Sequence, residues 1–158
     1  MMSAEKQTAP AISFTYCKNF ASAETKSASW ASFASSVTKS IGYGSKEESI
    51  KRAMIIGGVR EDEARGRADN VKTREIATLD YDNLAGHSLS DIELALELNM
   101  PGTSWLAYST FRHTPESPRV RIMCPFSRTV SAAEYEAVVT AIAEALDLGK
   151  PDPCSFSV

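Results

Sequence analysis

Short apolar runs, separated by polar turns, recur in the second half of the chain and predict the strands of a sheet. In the third run, Val120 and Ile122 alternate with Arg119 and Arg121, as on a strand that has one face in a core. The predicted strands are residues 75–81 (EIATLDY), 104–109 (SWLAYS), 119–124 (RVRIMC) and 155–158 (SFSV).

Helical spacing of apolar residues marks two of the segments between these strands. Ser90 with Glu93 and Ser131 with Glu134 have the spacing of a capping box, so a helix is expected to begin at each serine. The order strand, helix, strand, strand, helix, strand is that of the ferredoxin-like motif. In that motif, the first strand lies between the third and the fourth.

The first half of the chain predicts an α/β extension to this core, and the predicted fold class is therefore α+β. Residues 1–10 are polar and are expected to form a flexible arm, followed by a single domain over residues 11–158. The expected elements are a strand over residues 12–16, a helix over residues 29–41, a helix from Ser45 that carries Met54, and a long basic loop over residues 57–73.

Composition narrows the function classes only slightly. No apolar run approaches the roughly 18 residues that span a bilayer, and the polar N-terminus lacks the apolar stretch of a signal peptide. A cytoplasmic protein without a membrane partner is expected. The cysteines Cys17, Cys124 and Cys154 are odd in number and form no CxxC pair, which argues against a disulfide framework and a zinc knuckle. The net charge of −3 favours no particular partner.

Strand directions in the ferredoxin-like motif bring distant charged residues to one edge of the sheet. Asp80 and Asp82 end the first strand, and residues at i and i+2 face the same side. Because the third and fourth strands run antiparallel to the first, they begin beside its end. The groups expected to meet there are Asp80, Asp82, His113, Arg119, Arg121 and Asp152.

Carboxylates that converge in this way repel each other unless a cation lies between them. Hard oxygen ligands suit Mg²⁺ or Mn²⁺, and two such ions about 3.5–4 Å apart would stabilise an attacking 3′ oxygen and a leaving pyrophosphate. Arginines nearby would hold the triphosphate. Each residue taken alone also fits a plain turn or surface position. The hypothesis therefore depends on the joint placement.

Three segments resemble phage- and plasmid-type members of the archaeo-eukaryotic primase superfamily: GGVREDEARGRADNVKTREIATLDYDN, LAYSTFRHTPESPRVRIMCPFSRTVSAAEYEAV and DPCSFS. The superfamily has a hydrophobic run ending in DxD, matched here by TLDYD. Its second motif, a small residue two positions before a histidine, falls on Phe111 and His113, and Phe111 is large. Asp152 matches the carboxylate before a late strand.

The resemblance implies an RRM-like catalytic core over about residues 75–158 and template-directed nucleotide polymerisation in phage or plasmid DNA replication. It implies that Asp80, Asp82 and Asp152 are catalytic ligands of Mg²⁺ or Mn²⁺, and that His113 is catalytic and contacts the incoming nucleotide. Further nucleotide contacts are expected from Arg112, Arg119 and Arg121. The residues expected to bind DNA are Arg60, Arg65, Arg67, Lys72 and Arg74.

The implied partners are nucleoside triphosphates, a single-stranded DNA template and a helicase domain or protein. The resemblance also allows the chain to be the N-terminal fragment of a longer replication protein, and a bacterial host cell is the expected setting if a phage encodes it. A non-catalytic single-stranded DNA-binding module is the alternative, since an RRM-like sheet binds nucleic acid by stacking. Another two-metal enzyme, such as a nucleotidyl cyclase or a Toprim-type nuclease, is a third. Trp105 and Tyr108 are expected to pack in the core.

Overall fold

The computed structural model describes residues 11–19, 22–38, 54–60 and 71–156, which form two antiparallel sheets and three α-helices. The predicted α+β class is confirmed. The strands are β1 (Ala11–Asn19), β2 (Ser22–Ser29), β3 (Met54–Ile56), β4 (Gly58–Arg60), β5 (Val71–Tyr81), β6 (Leu106–Ser109) and β7 (Val120–Ser131). The helices are α1 (Trp30–Val37), α2 (Leu89–Asn99) and α3 (Ala132–Leu146), and a 3-10 turn covers Pro153–Phe156.

The larger sheet has the strand order β4-β5-β7-β6, and β7 is antiparallel to both β5 and β6. The first three predicted strands therefore have the predicted ferredoxin-like arrangement. The fourth differs, because β4, which precedes β5 in the chain, pairs along its outer edge. This pairing needs a glycine at residue 58, where a Cβ would clash with the carbonyl oxygen of Thr73.

The predicted fourth strand is a 3-10 turn in its described part, and residues 157–158 lie outside the described residues. Pro153 begins this turn, because its ring fixes φ in the helical range and its missing N–H is not needed there. Asp152 closes the turn, since its carboxylate accepts from the Cys154 N–H at 2.8 Å and its carbonyl oxygen accepts from the Ser155 N–H at 2.9 Å. Local hydrogen bonds thus replace strand pairing here.

The expected loop over residues 57–73 was wrong at both of its ends, because residues 58–60 form β4 and residues 71–73 begin β5. Residues 61–70 lie outside the described residues. Met54 belongs to β3 and not to the helix expected from Ser45, the rest of which also lies outside the described part of the chain. The same holds for the arm predicted over residues 1–10.

Capping side chains decide where the helices begin. Ser131 precedes α3 as predicted, and the Glu134 carboxylate accepts from both its N–H and its hydroxyl, at 3.0 and 2.7 Å. Helix α2 begins slightly earlier than predicted, because Ser88 with Asp91 forms the capping box in place of Ser90 with Glu93.

The four-stranded sheet is covered on both faces. Leu79 and Ile122 belong to the core that includes residues of α2 and α3. On the other face, Ile76 packs with Phe14 of β1 and Phe33 of α1. The expected core positions of Trp105 and Tyr108 are confirmed, with Trp105 packing on the helix side and Tyr108 on the side of β1. The face on which an RRM stacks bases is therefore occupied by α1 and the smaller sheet, which has the strand order β2-β1-β3.

Candidate active site

Asp80 and Arg121 form an ion pair across the two central strands, named here the inner ion pair. They are direct partners in the β5–β7 register. The Arg121 Nε donates to Asp80 Oδ1 and Nη2 donates to Oδ2, each at 2.6 Å. Tyr108, opposite Arg121 on β6, lies with its hydroxyl oxygen 3.4 Å from Nη1. One row of side chains therefore joins three strands.

Asp82 and Arg119 form a second, more open pair in the next row, the outer ion pair. Arg119 Nη1 lies 3.2 Å from Asp82 Oδ2. The Asp82 side chain is 54% exposed, whereas that of Asp80 is 16% exposed, so water screens the outer pair far more. The two pairs confirm that the DxD and the Arg-x-Arg meet at one edge of the sheet.

Asp152 and Ser155 attach the C-terminal turn to the backbone of Asp80. The Asp152 N–H donates to the Asp80 carbonyl oxygen at 2.7 Å, and the Asp80 N–H donates to Ser155 Oγ at 2.8 Å. The turn therefore lies along β5 beyond the part that β4 covers, where the fourth strand was expected. The sequence contains no signal for Ser155, whose role depends on a long-range contact.

His113 lies in the loop between β6 and β7, at the same edge as the aspartates. The ring Nδ1 of His113 accepts from the backbone N–H of Arg119 at 3.2 Å. The backbone N–H of His113 donates to the Thr110 carbonyl oxygen at 3.0 Å. The expected convergence of His113 with the Arg-x-Arg is thus present. Arg112, its neighbour, is exposed to solvent.

Electrostatic surroundings keep Arg121 charged. Burial acts to lower the pKa of its guanidinium, but the hydrogen bonds that Arg121 donates to Asp80, reinforced by Tyr108, outweigh burial and raise the pKa above its usual value. Burial also raises the pKa of the Cys154 thiol to about 12, with help from Asp152 and Asp80. The Cys154 sulfur lies 3.8 Å from Asp80 Oδ2. Asp152 stays a carboxylate, because hydrogen bonds from Cys154 lower its pKa.

The three aspartates suit a divalent cation by the type of their donor atoms, since carboxylate oxygens are the ligands that Mg²⁺ and Mn²⁺ prefer. Their arrangement differs from that of a formed centre. Both oxygens of Asp80 accept from Arg121, and no group of three or more His, Cys, Asp or Glu side chains among the described residues is placed to hold a metal ion. A cation at Asp80 would have to displace the guanidinium.

The residues expected to bind DNA are placed differently from one another. Arg65 and Arg67 lie outside the described residues, as does the side chain of Arg60, while Lys72 is exposed on β5. Arg74 was expected to face DNA, but its side chain is buried in β5 with the guanidinium 4.6 Å from the Tyr135 ring centre. Burial lowers the pKa of Arg74. Such a position favours packing over contact with a DNA phosphate.

The profile of the VapE N-terminal domain family matches residues 38–158, which include the four-stranded sheet and every charged residue of the two pairs. The chain belongs to this family. The VapE N-terminal domain is a replication-associated domain of phages and plasmids. No curated protein and no solved structure matches the chain. None of the described helices has the length and apolar character needed to cross a membrane.

Proposed function

We propose that this domain carries out template-directed nucleotidyl transfer in phage or plasmid DNA replication, as a primase–polymerase with its site at the edge formed by the two ion pairs. The observation that carries the proposal is the 2.7 Å hydrogen bond from the Asp152 backbone N–H to the Asp80 carbonyl oxygen, which joins the two residues beside Arg121. Carboxylates and arginines from distant parts of the chain meet there, and one set suits cations while the other suits phosphates.

Each side chain at the edge has a proposed role. Arg119 and Arg121 would bind the triphosphate of the incoming nucleotide, because guanidinium groups bind phosphate in a bidentate manner. Arg112 and His113 would contact the same nucleotide from the loop before β7. Asp80, Asp82 and Asp152 would hold Mg²⁺ or Mn²⁺, which when bound would stabilise the attacking 3′ oxygen and the leaving pyrophosphate.

A single-stranded DNA template and a helicase domain or protein are the proposed macromolecular partners. The template would follow the basic residues near β4 and the start of β5, since phosphate contacts by Lys and Arg dominate binding to nucleic acid. Lys72 is exposed there and retains its proposed role. The proposed contacts are Arg60, Arg65, Arg67 and Lys72.

A non-catalytic single-stranded DNA-binding module is the second candidate. The inner ion pair favours it, because both oxygens of Asp80 accept hydrogen bonds from Arg121. The covered sheet face disfavours binding by base stacking on the strands, because Phe14 and Phe33 occupy that face. A binding module would therefore also bind DNA at the edge formed by the two ion pairs.

A primer-synthesis and extension assay tests the proposal. It uses single-stranded DNA, labelled nucleotides and Mn²⁺, and compares the wild type with Asp80→Asn and Asp147→Asn. Asp147 is exposed at the end of α3 and loses the same charge, so it is the matched control. Incorporation by the wild type and Asp147→Asn, with loss in Asp80→Asn, supports nucleotidyl transfer. DNA binding by all three without incorporation would favour the binding module.

A further inference from the structure

We propose that the inner ion pair makes the binding of a triphosphate and of a divalent cation mutually dependent. Arg121 occupies the carboxylate that the cation needs, and Asp80 occupies the guanidinium that the triphosphate needs. Either ligand alone must break the pair and leave one charged partner unsatisfied. Both together satisfy both partners. This inference rests on the proposed function and adds to it a coupling between the binding of its two ligands.

In the inner ion pair, existing hydrogen bonds occupy the groups of Asp80 and Arg121 that would bind the two ligands. Nε and Nη2 of Arg121 donate to the two separate oxygens of Asp80 at 2.6 Å, which is the bidentate geometry of a strong charge-assisted pair. The third nitrogen, Nη1, faces the Tyr108 hydroxyl at 3.4 Å. The direct β5–β7 register holds the two residues opposite each other, so backbone pairing positions the two side chains.

Burial makes separation of the pair costly. The side chains of Asp80 and Arg121 are 16% and 32% exposed, so a partner left alone would be a poorly hydrated charge. The outer pair has similar chemistry, but Asp82 is largely exposed and water can replace Arg119 there. The mutual dependence is therefore assigned to Asp80 and Arg121.

Replacement charges are the physical basis of the coupling. A divalent cation would replace the guanidinium beside Asp80, and the triphosphate would replace the carboxylate beside Arg121. Each ligand therefore lowers the free-energy cost of separating Asp80 from Arg121 when the other ligand binds. Thermodynamic linkage requires the cation to raise the affinity for the triphosphate by the same factor as the triphosphate raises the affinity for the cation. The domain would thus take up a nucleotide and its cation together and bind each weakly alone.

The first test measures binding of inorganic tripolyphosphate in EDTA by isothermal titration calorimetry. Asp80→Asn frees Arg121 and is expected to bind tripolyphosphate at least about tenfold more tightly than the wild type. Asp147→Asn removes the same charge at the exposed end of α3, outside the site, and frees no arginine, so its effect is expected to stay below about threefold. Equal gains in the two variants, or no gain in Asp80→Asn, would overturn the inference.

The second test measures Mn²⁺ alone, without any phosphate, by electron paramagnetic resonance. Arg121→Gln frees Asp80 and is expected to bind Mn²⁺ at least about tenfold more tightly than the wild type. Arg128→Gln is the matched control, since Arg128 pairs with Glu134 on the surface at 2.8 Å. Tight Mn²⁺ binding by the wild type, or the same gain in both variants, contradicts the inference. Thermal melting of each variant reports whether it is folded.

These measurements separate the inference from the proposed function. If the wild type incorporates nucleotides but neither Asp80→Asn nor Arg121→Gln gains affinity for its ligand, nucleotidyl transfer stands and the mutual dependence is removed. Gains in both variants without wild-type incorporation would support the dependence in a binding module and remove the proposed activity.

Discussion

The backbone N–H of Asp152 donates a 2.7 Å hydrogen bond to the carbonyl oxygen of Asp80. Two of the proposed metal ligands are thus joined through their main chains. The Asp80 N–H is bonded in turn to Ser155 Oγ, so the C-terminal turn satisfies both backbone groups of Asp80. The position of the inner ion pair therefore depends on this turn as well as on the sheet.

Replacing Ser155 by alanine tests this dependence. Ser155 is buried and accepts the Asp80 N–H, so its loss leaves that donor without its partner. Ser155→Ala is expected to lower the free energy of unfolding by about 1–3 kcal/mol. Urea denaturation measures the change, and Ser90→Ala, at an exposed position of α2, is the control expected to stay within about 0.5 kcal/mol of the wild type. A Ser155→Ala variant as stable as the control would show that the bond contributes little.

The bidentate geometry of Arg121 gives a kinetic prediction. Arg121→Lys keeps the charge but offers no planar pair of donors, so its contact with a triphosphate is weakened. The Michaelis constant for the nucleotide is expected to rise by about tenfold or more in the incorporation assay. An unchanged Michaelis constant in a folded Arg121→Lys variant would exclude Arg121 as the triphosphate ligand.

Lys72 gives a prediction about DNA. If this exposed lysine contacts one phosphate, Lys72→Ala should reduce the slope of log affinity against log salt by about 0.7 for single-stranded DNA. Fluorescence anisotropy at several salt concentrations measures the slope. Lys26→Ala is the control, because Lys26 lies on β2 and pairs with Glu24 at 3.5 Å. Equal slopes for the two variants would place the DNA elsewhere.

The start of α3 gives a prediction about acid. Hydrogen bonds from Arg128 and Ser131 lower the pKa of Glu134 to about 2 from 4.5. A lowered pKa means that the folded state binds this proton less readily, so the stabilisation is complete above about pH 4.5 and is lost as the pH falls towards 2. Glu134→Gln should therefore be less stable than the wild type at pH 7, with a smaller difference at pH 2.5.

Urea midpoints at the two pH values measure that difference. Glu136→Gln, at an exposed position two residues further along α3, removes the same charge without the cap. A difference between wild type and Glu134→Gln that stays constant with pH would show that the capping carboxylate does not titrate with folding.

Periodicity in the sequence was sufficient for the central part of the fold. The apolar run that ends at Asp80 and the alternation around Arg121 mark strands whose pairing follows from the ferredoxin-like order. The Ser131 capping box marks the start of α3. The meeting of the DxD with the Arg-x-Arg followed from strand direction alone, and the structure has them in direct register.

Features that depend on long-range contacts were not predictable in this way. Strand β4 has three residues and begins with a glycine, which gives no alternation to detect. Ser155 and Tyr108 look like ordinary residues of predicted strands until their partners are known. The bidentate contact of Arg121 with Asp80 was also missed, because sequence patterns place charges at an edge without pairing them.

Because β4 takes the sheet edge expected for a last strand, all strands of the four-stranded sheet precede α3 in the chain. When folding proceeds from the N-terminus, as during synthesis on the ribosome, every strand of this sheet is made before residue 152. The turn that carries Asp152 then docks on a sheet that already exists. The edge that carries the two ion pairs is therefore completed only after the sheet itself has formed.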